Sequence, residues 1–305
     1  MTESVQGIQP AVFDRRLLRR RRDRVAPALD GFDFLIREAA LRLVERLGDV
    51  RRAFPLALEL GCHTGQLGAA LHGSAQVGRL IQADLAHAMV WRAPGERLVA
   101  DEEALPFGQG CLDLVLSCFS LHWVNDLPGA LAQIRYALKP DGLFLAILPG
   151  GTTLFELREA LLRAELEIAG GAGARVSPFL DVRDAGMLLQ RAGFALPVVE
   201  VDTITVTYDH PLKLIAELRG MGETNALAQP GRGLGPSTLS LACEIYRDLF
   251  GDGGDRIPAT FQLLTLSGWA PEPSQPQPIR RGSGQVHLAD ALGVAPEGLE
   301  GKARR

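Results

Sequence analysis

The sequence predicts an α/β fold with a doubly wound, mostly parallel sheet. An apolar strand runs straight into a glycine-bounded turn at residues 54–66, FPLALELGCHTGQ, with the acid Glu59 at the strand's end. Two further strand-like segments, residues 79–84 and 97–101, also close on acids, Asp84 and Asp101. Acids ending successive strands beside a glycine turn are the arrangement in which an open α/β sheet holds a ligand.

Residues 1–12 hold no Lys or Arg and no apolar run, so they make no secretory signal and read as a loose tail. Residues 14–24, DRRLLRRRRDR, carry seven arginines ahead of a helix-like stretch at 32–47. Two readings of that run stand side by side: a solvated helix face, or an electrostatic contact with an acidic partner or a membrane surface. A mitochondrial transit peptide would be arginine-rich too, but Asp14 and Asp23 argue against one. In the first strand Leu56, Leu58 and Leu60 alternate with Ala57 and Glu59 in a nearly unbroken apolar run suited to burial on both faces. Gly61 and Gly65 bracket the turn that follows. Glycine lets backbone approach a ligand closely, and the amides opening the next helix point outward as donors. Asp84 lies nineteen residues beyond Gly65, close to the roughly 20 between a glycine turn and a ribose-binding acid. His63 stands between the two glycines, so the GxGxxG fingerprint is absent and a pyrophosphate cofactor is disfavoured.

A fourth strand spans 111–119. Asp126 caps a helix through Leu138, and Lys139-Pro140-Asp141-Gly142 turns into a fifth strand at 143–148. Thr153, as an N-cap, opens an amphipathic helix reaching about Ala169, with Leu154, Leu157, Leu161, Leu162 and Leu166 on one side. Another helix covers 181–192, and the alternating VVEVDTITVTY at 198–208 is a strand. The last strand falls at 260–269, leaving a helical insertion where substrate choice can be shaped. Pro271, Pro273, Pro276 and Pro278 begin a stiff, exposed tail. The expected organisation is tail and helices at 1–48, cofactor-binding core at 49–208, helical cap at 209–257, last core strand at 258–270 and Pro-rich tail at 271–305.

With Glu59, Gly61, Gly65, Asp84, Asp101, Leu105-Pro106-Phe107 and Leu112-Asp113-Leu114-Val115 in this order, the chain resembles the class I S-adenosylmethionine-dependent methyltransferases. The resemblance implies a Rossmann-like seven-stranded sheet with helices on both faces and a helical insertion between the last two strands. It implies S-adenosyl-L-methionine as cofactor, with Asp84 on the ribose, Asp101 on the adenine amino group, and the turn from Gly61 to Gly65 near the methionine end. Glu59, Cys62, His63, Glu102 and Ser120 complete the expected cofactor set. The departure is His63, which replaces the family's middle glycine and must meet any need for positive φ at some cost.

Phe13-Asp14-Arg15, Ala100-Asp101-Glu102-Glu103, Ser120 to Asp126 (SLHWVND), Leu138 to Gly142 (LKPDG), Gly220-Met221-Gly222-Glu223 and Pro258-Ala259-Thr260 narrow the match. They are similar to the branch of mitochondrial complex I assembly factor 5 and its bacterial relatives, from Phe13 to about Ser283. That branch implies a protein substrate, a respiratory complex I subunit, and arginine hydroxylation as an alternative to methyl transfer. A weaker resemblance is to the enzymes that methylate malonyl-acyl carrier protein.

Composition agrees with a soluble enzyme. Among 305 residues, 47% apolar, no run of about 18 apolar residues marks a transmembrane helix. A net charge of −4 offers no general attraction to nucleic acid. Only Lys139, Lys213 and Lys302 are lysine, so 32 − 3 = 29 of the basic residues are arginine. This excess points to a GC-rich bacterial source, for which the expected location is cytoplasmic, the matrix being its mitochondrial counterpart. Cys62, Cys111, Cys118 and Cys243 form no CxxC or CxxH pair, so neither a disulfide framework nor a zinc site is expected, and His63 is not expected to bind metal.

Catalytic expectations fall on His122, just after the fourth strand, and Glu223, after the Gly220 to Gly222 turn. His122 has a structural alternative, packing against Trp123, and Glu223 another, capping a loop. Asn225 is a further candidate for holding a guanidinium, and Thr152, Thr153, Glu156 and Arg158 form a polar cluster beyond the fifth strand. Three function classes remain: an enzyme acting on a protein side chain, a small-molecule or carrier-protein methyltransferase, and a binding-only assembly factor.

Overall fold

The computed structural model describes residues 11–229, 231, 233–254, 256–276 and 286. Its sheet has seven strands: β1 (Phe54–Leu60), β2 (Val77–Asp84), β3 (Glu96–Val99), β4 (Leu112–Cys118), β5 (Leu138–Pro149), β6 (Ala195–Tyr208) and β7 (Ile257–Trp269). Their spatial order is β3-β2-β1-β4-β5-β7-β6. The first five are parallel; β7 runs antiparallel to both β5 and β6.

The helices are α1 (Arg15–Val25), α2 (Phe34–Gly48), α3 (Gln66–Ala70), α4 (His87–Arg92), α5 (Leu127–Ala137), α6 (Phe155–Ala169), α7 (Val182–Arg191), α8 (Pro211–Met221) and α9 (Pro236–Phe250). Strand periodicity builds a core on each face of the sheet. Along β5, Leu143, Leu145 and Ile147 pack with residues of α2 and α6, while Phe144, Ala146 and Leu148 pack with residues of α5 and α7. Helices α8 and α9 lie in the insertion between β6 and β7. Asp126 and Asp181 cap α5 and α7 by accepting from the amides of Gly129 and Arg183.

Two local expectations are corrected. Lys139 to Gly142 does not turn into β5 but belongs to it. Asp141 takes a left-handed φ of 59° and the β4–β5 register shifts between Leu112 and Leu114, so the strand absorbs its extra residues as a bulge. Nor does Thr153 cap α6, which starts at Phe155 with Leu154 as N-cap and no side-chain bond. The Thr153 hydroxyl is tied to the backbone of Gln262 in β7 instead.

Residues Met1–Pro271 form one compact unit. A second, Glu272–Arg305, is described at 272–276 and 286, where the Glu272 amide donates to Gln275 Oε1. The expected tail at residues 1–10 and most of the Pro-rich tail lie outside the described residues. Among the described residues no helix is long and apolar enough to cross a membrane.

Candidate active site

Parallel strands deliver their last residues to one edge of the sheet, and there the predicted acids meet. Glu59 is next to last in β1, Asp84 ends β2, and Ser120 follows β4. Gly61 has φ 78°, and a Cβ there would overlap the Ser120 side chain, so the turn accepts only glycine at that point. His63 adopts φ 49° without glycine's freedom. Its amide donates to Asp84 Oδ2 at 3.1 Å and its ring Nε2 donates to the Cys118 carbonyl at 3.1 Å, which turns the imidazole into the end of the sheet. Burial, and then repulsion from Arg22, lower the pKa of that ring. Cys62 faces away into an apolar cluster with Val90 and Ala93, so its backbone, not its thiol, belongs to the turn.

Two residues absent from the sequence-based site join this buried cluster from α1. Asp14 caps the helix through the Leu17 amide, and Arg15, Leu18 and Arg22 then fall on one face at i, i+3 and i+7. Arg22 is 1% exposed. Its Nη1 stands 3.4 Å from Asp84 Oδ2 and 3.3 Å from Ser120 Oγ, and its Nη2 donates to the Phe119 carbonyl at 3.4 Å. Arg15 pairs with Asp101 Oδ1 at 2.6 Å and with Glu102, which also accepts from the Ser120 hydroxyl. Burial works to raise the Glu102 pKa, yet Arg15 and Arg22 hold it below the usual carboxylate range. Glu59 has no such counter-charge: burial, then the Asp84 charge, push its pKa well up.

This buried cluster therefore presents acceptors of the kind expected for S-adenosylmethionine. Glu59 Oε2, His63 Nδ1 and Arg22 Nε are buried without a hydrogen-bond partner, a local excess that a polar ligand would relieve. The donor and acceptor set fits that cofactor, and Arg15 and Arg22 sit against the same carboxylates it would use. Among the described residues no group of three or more His, Cys, Asp or Glu is placed to hold a metal ion.

A second constellation joins residues a hundred positions apart. His122, in a short 3₁₀ turn after β4, lies with Nε2 2.8 Å from Glu223 Oε2, and Trp123 Nε1 donates to the same oxygen at 2.9 Å. The carboxylate accepts, so His122 carries its proton on Nε2. Burial acts to raise the Glu223 pKa, but His122 and Arg22 hold it low and the group stays ionised. Its other oxygen, Oε1, is buried without a partner. Glu223 and Trp123 line a cavity of about 750 Å³; His122 does not, and stands behind the carboxylate. Of the other candidates, Asn225 and Thr153 also line the cavity. Glu156 is turned away to bond Thr260.

Strand order, an antiparallel β7, a glycine turn and acids at the strand ends define a class I methyltransferase fold. A family profile described as "Methyltransferase domain" matches residues 58–146. The YcgJ protein of Bacillus subtilis shares the fold at a TM-score of 0.54 and 17% identity, over 76% of this chain and 98% of that one. The chain is 42% identical over 295 residues to "Arginine-hydroxylase NDUFAF5, mitochondrial" of Danio rerio, covering 94% of this chain and 91% of that protein. It is 33% identical over 276 residues to the malonyl-[acyl-carrier protein] O-methyltransferase of a Methylovorus species, covering 86% and 90%. The chain belongs to the NDUFAF5 arginine-hydroxylase family.

Proposed function

We propose that this protein binds S-adenosylmethionine at the buried cluster around Asp84 and modifies an arginine side chain of a respiratory complex I subunit in the adjoining cavity. Glu223 carries the reading: an ionised carboxylate, held by His122 and Trp123, lines a cavity whose wall combines apolar side chains with arginines, and a guanidinium is its best complement. Asp84 would take the ribose hydroxyls, Asp101 the adenine amino group, and the turn from Gly61 to Gly65 the methionine part, with Glu59, Glu102 and Ser120 around them. When bound, that cofactor supplies an electrophilic methyl group; the name of the Danio relative speaks for gain of an oxygen on the same kind of side chain. Glu223 would fix the guanidinium, Trp123 would wall it, and His122 would act as a positioning residue that orients the carboxylate.

Peptide mapping of the complex I quinone-site subunit tests this. One arginine should carry an added methylene or oxygen in the wild type, lack it in a deletion strain, and regain it with the wild-type gene. Glu223→Gln should keep cofactor affinity and fail to restore the modification or complex I assembly. Normal complex I in the deletion strain would overturn the reading. Arg21, Arg24 and Arg219 on the same cavity favour a second reading, methyl transfer to a small or carrier-bound carboxylate. A deletion strain with intact complex I but failing biotin or quinone synthesis would establish that one.

A further inference from the structure

The cavity at Glu223 carries both signs of charge, and the positive side is the less compensated. Arg21, Arg24, Arg175 and Arg219 all line it. Arg175 is neutralised by Glu165. Arg24 and Arg219 are exposed and pair with no acid among the described residues. Arg21 donates to the carbonyls of Thr224 and Asn225 at 2.9 and 2.6 Å, partners that satisfy its hydrogens without cancelling its charge. Burial, and then repulsion from Arg24, hold the Arg21 pKa below its ordinary value, offset only in part by Asp14. Elsewhere the wall is mainly apolar, with Leu35, Phe119, Leu154, Leu157, Leu161 and Phe261. A volume of about 750 Å³ lies in the range that encloses a whole drug-sized ligand, more than one arginine side chain needs.

We propose that the segment received by this cavity bears an acidic residue within a few positions of its arginine, with an apolar residue beside them. The guanidinium meets Glu223, the apolar side chain meets the leucines, and the carboxylate meets Arg21, Arg24 and Arg219. This rests on the arginine reading above and adds to it a charge rule for choosing among arginines. A segment with a second basic residue in that place would bring like charge to the arginines, and such repulsion rejects wrong partners more sharply than attraction gathers right ones.

The probes are short, fluorescein-labelled, amidated peptides holding one arginine, flanking leucines and a nearby glutamate, with counterparts carrying glutamine for the glutamate or citrulline for the arginine. Anisotropy titrations should show the glutamate peptide binding about tenfold tighter than the glutamine peptide, the effect of one charge-assisted contact. The gap should narrow as salt is added. The Arg24→Ser/Arg219→Ser double variant, which removes no partnered side chain and keeps Arg21, should show a clearly smaller gap between the two. Equal affinities in the wild type, a gap undiminished in the double variant, or no binding by any peptide overturns the proposal. A citrulline peptide that binds as well as the arginine peptide, with the glutamate preference intact, leaves the charge rule standing and defeats the arginine reading.

Discussion

The buried cluster at Asp84 and the cavity at Glu223 draw on the same helix and use its arginines in opposite ways. In the cluster, Arg15 and Arg22 meet Asp84, Asp101, Glu102 and Glu103, all within 4 Å of one guanidinium or the other. Burial works to lower the pKa of both arginines, and the acids more than reverse it. In the cavity, Arg21 and Arg24 answer to no acid as close, and the Arg21 pKa falls. Helical period alone makes the division: residues 15, 18 and 22 share one face, while 21 and 24 lie a step around the axis. A run of arginines is therefore not one feature. Charges turned into the protein must be paired to be tolerated there; those left at a cavity are free for a ligand.

The largest way to break that comparison is Arg22→Gln. It leaves Asp84 and Glu102 buried with less compensation, and should lose about 3–5 kcal/mol of stability in urea unfolding without cofactor. A loss below about 1 kcal/mol would place Arg22 with the exposed arginines and erase the distinction.

The acids of the cluster sharpen it through pH. Glu102 has a folded pKa below its unfolded value of about 4.3. Its contribution is complete above that unfolded value and is lost as pH falls through the folded one. Glu59 runs the other way, its folded pKa raised, so its contribution is complete below about 4.3 and is lost as pH climbs toward the folded value. Glu59→Gln should therefore gain stability on the wild type as pH rises above about 4.3 toward the raised folded pKa. Parallel stability curves for the two proteins would mean that Glu59 is not held in a desolvated site.

Smaller again is the effect expected on ligand binding. Asp84→Ala should weaken S-adenosylmethionine roughly tenfold or more, the loss of a charged acceptor being about 1.5–3 kcal/mol. Calorimetry on this variant and on Asp84→Asn, which keeps the side chain's shape, separates lost acceptance from lost structure. Unchanged affinity in both, or a wild-type preference for NAD, would make the cluster a structural ion-pair site.

How much of this was legible in the chain follows from which interactions are local. Strand alternation and the placement of Glu59, Asp84 and Asp101 at the ends of successive strands are written in nearby residues, and the sheet follows from them. The bulge at Asp141 was hidden because KPDG has the composition of a turn, and only pairing with β4 shows that the strand continues through it. Glu223 and His122 were each noticed singly, but the bond between them spans 101 positions and leaves no local trace. Arg22 was missed for a different reason. Its signal, Arg15 and Leu18 on its own face, was present, but four consecutive arginines put the same residue type on every face, and composition could not say which one turns inward.

The smallest expected effect is the sharpest test of the contrast, because it concerns Arg24, two residues from Arg22 in the same helix. Arg24 is exposed, has no ion pair among the described residues, and stands near Arg21, which its charge disfavours. Replacing it by serine removes repulsion and breaks no ion pair of the described residues, at the modest expense of helix propensity near the C-terminal end of α1. Arg24→Ser should therefore unfold within about 0.5 kcal/mol of the wild type, while Arg22→Gln falls far below it in the same urea series. If Arg24→Ser costs as much as Arg22→Gln, the arginines of α1 act together as one network, and the cavity has no uncommitted positive charge to offer a substrate.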